Sequence, residues 1–208
     1  MAKLTDEEID SMLLEQDAEF ESEFSSPSAV LNSVVVNTPE PELLASGTRE
    51  IQSDDPRRRI LGIRLMRELK QHGEEAAREL SGLLASEQDP EVLYWVVGAF
   101  GFLKSDLVTD QLISLAHHPS PGVRYNVATA LANRRSGGLP SESVNALLGL
   151  TEDENAEVRF SAVFELGSWW QLDHDPRIGS ALRHVIASDN DTTVVQAAEE
   201  AIQGAESC

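Results

Sequence analysis

The chain has 208 residues, 41% of them hydrophobic but only 5% aromatic, and 36 acidic against 16 basic side chains give it a formal net charge of −20. That apolar content suffices for one domain or one short repeat array, while no apolar run approaches the roughly 20 residues that span a bilayer. The acidity argues against nucleic acid and anionic lipid, whose phosphates need Lys and Arg, and suits either a basic protein partner or plain solubility.

Residues 1–42 hold 11 acids and one lysine, so the charge is concentrated at the start. The opening MAKLTDEEIDSMLLEQD is acidic where a secretory leader is basic and then apolar, which gives the expectation of a cytoplasmic protein. Thr5 followed by Glu8 has the spacing of a capping box, and Ile9, Met12, Leu13 and Phe20 form a thin apolar stripe beyond it. An acidic helix is expected there. The stretch SSPSAVLNSVVVNTPEPE carries three prolines and reads as a linker with a short extended piece at SVVV. Residues 1–38 are therefore expected to be a helix and linker, partly disordered or folded back on the rest, with a repeat domain over 39–208.

Four phrases resemble one another: DPEVLYWVVGAFGFL, SPGVRYNVATALANR, NAEVRFSAVFELGSW and NDTTVVQAAEEAIQG. Their anchors are Val92, Val123, Val158 and Val194, and a fainter first copy places Arg58 in the same column. The spacings of 34, 31, 35 and 36 residues each accommodate two short helices and two turns. Four residues on stand Gly62, Val96, Val127, Ala162 and Ala198; eight on stand Met66, Phe100, Leu131, Leu166 and Ile202. This is one stripe of an amphipathic helix. The turns SEQDP, HHPSP, TEDEN and ASDND supply the Asp, Ser, Asn and Pro that start helices.

SPGVRYNVATAL and NAEVRFSAVFEL resemble the second helix of a HEAT repeat. The resemblance covers about 40–204 and implies an all-α fold, a right-handed α-solenoid of about five HEAT-like helix pairs, preceded by the acidic N-terminal helix and linker. Stacked pairs cover apolar faces that no pair can bury alone. The resemblance also implies a ladder between neighbouring repeats. Arg124 and Arg159 match its arginine column and Arg59 does so loosely, whereas Leu93 and Val195 break it.

In such arrays the second helices line the concave surface. Two and six residues past the anchor lie away from the core stripe, which places Tyr94, Tyr125, Phe160, Phe164 and Arg64 there, with Trp95 next to Tyr94. These six are the candidate protein-binding residues; curvature packing the rings between neighbouring helices is the alternative. One of Trp169 and Trp170 is expected in the core. Arg57, Arg58, Arg59, Arg64 and Arg67 make RRRILGIRLMR locally basic, and the acidic N-terminal segment is expected to hold that cluster in preference to nucleic acid.

No catalytic, cofactor-binding or metal-binding residues are assigned. Five histidines lack HExxH spacing, Cys208 stands alone at the end, and neither a G-x-S-x-G elbow nor a phosphate loop is present. The expected function is non-enzymatic binding of a basic protein on the concave surface, for example as an inhibitor or immunity protein. The alternative implied by the resemblance is a bilin lyase-like or chaperone-like HEAT protein.

Overall fold

Short polar side chains and prolines punctuate the whole chain, and helices fill the intervals between them. The computed structural model describes residues 4–21, 29–133, 138–173 and 175–206. Among the described residues there are twelve α-helices and no strand. They are α1 (Asp6–Glu21), α2 (Ala29–Asn37), α3 (Glu40–Glu50), α4 (Pro56–Arg67), α5 (Gly73–Ser86) and α6 (Pro90–Leu103), then α7 (Thr109–Leu115), α8 (Pro121–Ala132), α9 (Ser141–Leu150), α10 (Ala156–Asp173), α11 (Pro176–Ser188) and α12 (Thr192–Glu206). From α3 onward they form the five expected pairs. The contacts divide the chain into two compact units, Met1–Leu103 and Lys104–Cys208.

In the first unit α4 packs on α3 and α6, α5 on α6, and α1 on both α2 and α4. In the second unit α10 lies between α8 and α12, while α9 touches α7 and α11. Within each unit the second helices thus pack side by side, and in the second unit the first helices do so as well. The anchors Val92, Val123, Val158 and Val194 are buried at their centre, as are Val96, Val127, Ala162, Ala198, Phe100, Leu131 and Leu166.

Helix starts follow the sequence signals. Asp55 accepts the Arg57 N–H, Asp89 those of Glu91 and Val92, Asn155 those of Glu157 and Val158, and Asp191 those of Thr193 and Val194. The Thr5–Glu8 capping box is closed in both directions, at 2.8 and 3.2 Å. The expected linker is corrected by α2. Its N-terminus is capped by Glu15 of α1, whose carboxylate accepts the Ala29 and Val30 N–H groups at 2.8 and 2.9 Å. Glu40 does the same just ahead of α5, accepting from Lys70, Gln71 and His72. An anion at a helix N-terminus stabilises it from wherever in the chain it comes. Arg134, Arg135, His174 and Cys208, and the side chains of Phe20, Trp169 and Trp170, lie outside the described residues.

The ladder has three rungs, each of the same build. Arg124 Nε and Nη2 donate to Asp153 at 2.7 and 2.8 Å while its Nη1 donates to the His118 and Pro119 carbonyls. Arg159 grips Asp189 at 2.7 and 2.9 Å and turns back onto the Asp153 and Glu154 carbonyls. Arg59 grips Glu87 at 2.7 Å and bonds the Ser53 and Asp54 carbonyls. Burial alone would raise Asp153, but the Arg124 guanidinium and the Asn155 N–H hold it below the usual carboxylate range. The Arg159 guanidinium outweighs burial and lowers Asp189 likewise.

Gly62 departs from the Val and Ala of its column for a steric reason. A Cβ there would lie 2.8 Å from both the Gly47 carbonyl oxygen and the Ile51 nitrogen, so α3 and α4 touch backbone to backbone. In α5, a Cβ on Gly82 would meet nothing within 4 Å. Gly62→Ala is expected to cost about 1–3 kcal/mol of unfolding free energy in urea titration, and Gly82→Ala to add about 0.5–1 kcal/mol.

Candidate functional site

In the second unit the layer α8–α10–α12 carries the expected aromatic residues. Tyr125 on α8 and Phe160 on α10 are half-buried, and Phe164 is 58% exposed. The Phe160 and Phe164 rings stack with centroids 6.1 Å apart and planes inclined by 22°, one helical turn apart on a single face. Ser161 and Glu165 follow each of them by one residue and turn toward α8. The Ser161 hydroxyl donates to the Tyr125 carbonyl at 3.3 Å and lies 3.4 Å from the Thr129 hydroxyl. The result is a furrow between two crests, with Tyr125 and Thr129 on one side and Phe160 and Phe164 on the other.

Glu165 was not singled out by the sequence reading. It stands seven residues past its anchor, in the column occupied elsewhere by Leu65, Ala99, Ala130 and Ala201, all of them buried. The signal was therefore visible as one carboxylate in an apolar column. Burial pushes the Glu165 carboxyl up from the ordinary 4.5 to about 7, and the Thr129 hydroxyl beside it offsets only part of that effect. Among the described residues Glu165 makes no ion pair.

The first unit is arranged differently. Tyr94 is 38% exposed and Trp95 half-buried, their rings edge to face at 5.8 Å. Arg64, expected on an open face, is only 5% exposed. The reason is α1: Gln16 is fully buried against α4, donates to the Arg57 carbonyl at 3.0 Å and accepts from Arg64 Nη1 at 3.4 Å. The Arg64 guanidinium lies 5.3 Å over the Trp95 ring. Arg67 stands over the same ring and, at 4.8 Å, over Phe102, which is 64% exposed.

The arginine cluster finds its partners inside this unit. Arg57 pairs with Asp17 of α1 at 3.1 Å and with Asp55 at 2.9 Å, Arg58 with buried Glu50 at 3.2 Å, and Arg67 with Glu68 at 2.9 Å. The acidic first helix is thus one of several anions that hold it.

A cleft of about 540 Å³ opens between α7 and α9, lined by Ile113, His117, Glu142, Ala146, Gly149 and Leu150 among others. Among the described residues no three His, Cys, Asp or Glu side chains are placed to hold a metal ion, and no helix is long and apolar enough to cross a membrane.

Glu165 has a measurable consequence. Its folded form binds a proton more tightly than the unfolded chain does. Its stability contribution is therefore complete below pH 4.5 and is lost as pH rises through about 7. Glu165→Gln is expected to raise unfolding free energy at pH 8 by on the order of 1–3 kcal/mol and to add almost nothing at acid pH. Urea titrations of both proteins at each pH check this.

Residues 109–203 match the family model for HEAT repeats. No curated protein matches the chain. Among solved structures, a chain from the complex of CpcE and CpcF of phycocyanin lyase from Nostoc sp. PCC7120 is similar at 18% identity and a TM-score of 0.61, covering 82% of this chain and 99% of that one. A designed armadillo repeat protein is similar at 16% identity and a TM-score of 0.59, covering 95% and 92%. A second designed armadillo repeat protein, solved in complex with the peptide (KR)4, is similar at 14% identity and a TM-score of 0.53, covering 93% and 98%. At such identities the likeness establishes the fold alone, which is all-α and built of tandem helix pairs. The repeated pairs, the arginine ladder and the match to the family model identify residues 109–203 as HEAT repeats.

Proposed function

We propose that the protein is a non-enzymatic binding module that takes a basic protein partner on the faces of its second helices. The observation that carries this reading is Phe164, 58% exposed and stacked on Phe160 on a helix whose anchor column is buried. An exposed aromatic pair on a rigid helix layer costs solvation until something covers it, and aromatic side chains dominate interface energetics. Tyr125 extends the binding surface within the same unit; Tyr94 and Trp95 are the corresponding candidates on the first unit, where Arg64, being buried, supports Trp95. The charge of −20 supports a basic partner, both by steering its approach and by repelling nucleic acid and anionic membranes. A cytoplasmic inhibitor or immunity protein for a basic toxin or nuclease is one specific form of this reading. The fold is shared with an armadillo repeat protein that holds the basic peptide (KR)4, so a layer of stacked helices is a suitable support for such a ligand.

The fold shared with a chain of the CpcE–CpcF complex favours a second reading, action on a bilin or on its acceptor protein. Incubation with a bilin and a phycobiliprotein apoprotein, followed by absorbance, distinguishes the two. A shifted chromophore band supports the second reading, and an unchanged spectrum the first.

Affinity capture from the source organism, with the wild type beside a Tyr94→Ala, Tyr125→Ala, Phe164→Ala triple variant, tests the binding surface. The expected outcome is a basic protein retained by the wild type and lost, by at least about tenfold, from a variant of unchanged helicity. Equal retention by the two would contradict the proposal.

A further inference from the structure

The two units build the same furrow from different residues. In the first unit, six residues past the α4 anchor stands Arg64, and three past the α6 anchor stands Trp95. The guanidinium lies on the ring at 5.3 Å, and Gln16 of the covering helix α1 accepts one of its hydrogens. The chain thus fills this furrow with an arginine of its own.

In the second unit the matching positions are Thr129 on α8 and Ser161 on α10. Both the cation and its aromatic support have been replaced by small hydroxyl side chains, which lie 3.4 Å from each other. Two features are added in return. Glu165 replaces the buried apolar residue of its column, and Phe160 and Phe164 raise a stacked aromatic crest beside it. The furrow has lost an internal cation and gained an anion without one. A half-buried carboxylate hydrogen-bonded to the Thr129 hydroxyl is poorly solvated and gains strongly from a charged donor.

The charge and the shape of the furrow restrict what would satisfy it. The ligand must be cationic, because the group to be met is a carboxylate. It should also gain from aromatic contact, because a stacked ring pair, Phe164 58% exposed, stands beside that carboxylate. A guanidinium meets both needs, stacking on an aromatic face while donating in its own plane; an ammonium is compact, more strongly hydrated and cannot stack.

We propose, resting on the reading that this layer binds a basic protein, that the α8–α10 furrow is a receptor for a partner's arginine side chain. Glu165 accepts its guanidinium hydrogens and the Phe160–Phe164 pair offers it an aromatic contact, at positions where Thr129 and Ser161 replace the larger Arg64 and Trp95 of the first unit. Arg64 in the first unit occupies the equivalent place from within.

Fluorescence anisotropy with a fluorescein-labelled octapeptide of alternating arginine and glycine tests this on the full chain. The wild type is expected to bind it saturably and at least about fivefold more tightly than the lysine counterpart. Glu165→Gln is expected to weaken binding at least about fivefold, whereas Glu157→Gln, an exposed change of the same charge, stays within about twofold. Thr129→Arg supplies the missing internal arginine and is expected to abolish binding while raising urea stability. Absence of saturable binding by the wild type, or equal binding by Glu165→Gln and Glu157→Gln, overturns the proposal. If Phe164→Ala weakens the peptide while Glu165→Gln and Thr129→Arg do not, the arginine receptor is wrong and the aromatic binding surface stands.

Discussion

One guanidinium, repeated three times, sets the register of successive helix pairs. Arg124 ties the carbonyls of its own turn to Asp153 of the next turn, and Asp153 in turn accepts the Asn155 N–H that opens α10. Arg159 and Asp189 repeat the arrangement one pair later, with Asp189 accepting the Asp191 N–H. A buried ion pair is a weak source of net stability, because desolvation offsets attraction, but its bidentate geometry admits one alignment. The step from the second pair to the third lacks both members, with Leu93 in the arginine column and His118 in the carboxylate column. The contacts of the chain divide at Leu103–Lys104, within that step.

Register decides what the second helices expose. Once the Val and Ala columns are buried between layers, the residues two and six past each anchor are left on the far side. In the first unit α1 covers part of that side, and Gln16 and Arg64 become a buried polar pair over Trp95. In the second unit Phe160, Phe164 and Tyr125 remain at the surface of the layer, above the Ser161 and Glu165 floor. Keeping a carboxylate in a position where every other repeat places an apolar side chain sacrifices stability, the kind of cost that functional positions carry.

Much of the fold was legible in the sequence because each repeat restates it. The anchor column, the helix starts at Asp55, Asp89 and Asp191, and the Arg124 and Arg159 rungs all rest on local spacing that recurs. What escaped reading depended on distant partners. Val34 to Val36 are β-branched and flanked by prolines, so SVVV looked extended; α2 exists because Glu15, fourteen residues before Ala29, caps it. Arg64 looked open because nothing in its own helix shows that Gln16 will cover it, 48 residues away in sequence. Glu87 as the partner of Arg59 was hidden by a first copy too worn to align closely. Glu165 is legible as the one carboxylate in its apolar column, but its burial against α8 depends on a partner helix.

The register device is tested most directly by a double-mutant cycle on Arg124 and Asp153, with Arg124→Ala, Asp153→Ala and the pair measured by urea unfolding at neutral pH. A register-setting rung between two buried partners predicts a coupling energy of about 1.5–3 kcal/mol. A coupling below about 0.5 kcal/mol would mean that the two side chains meet without fixing how successive pairs align.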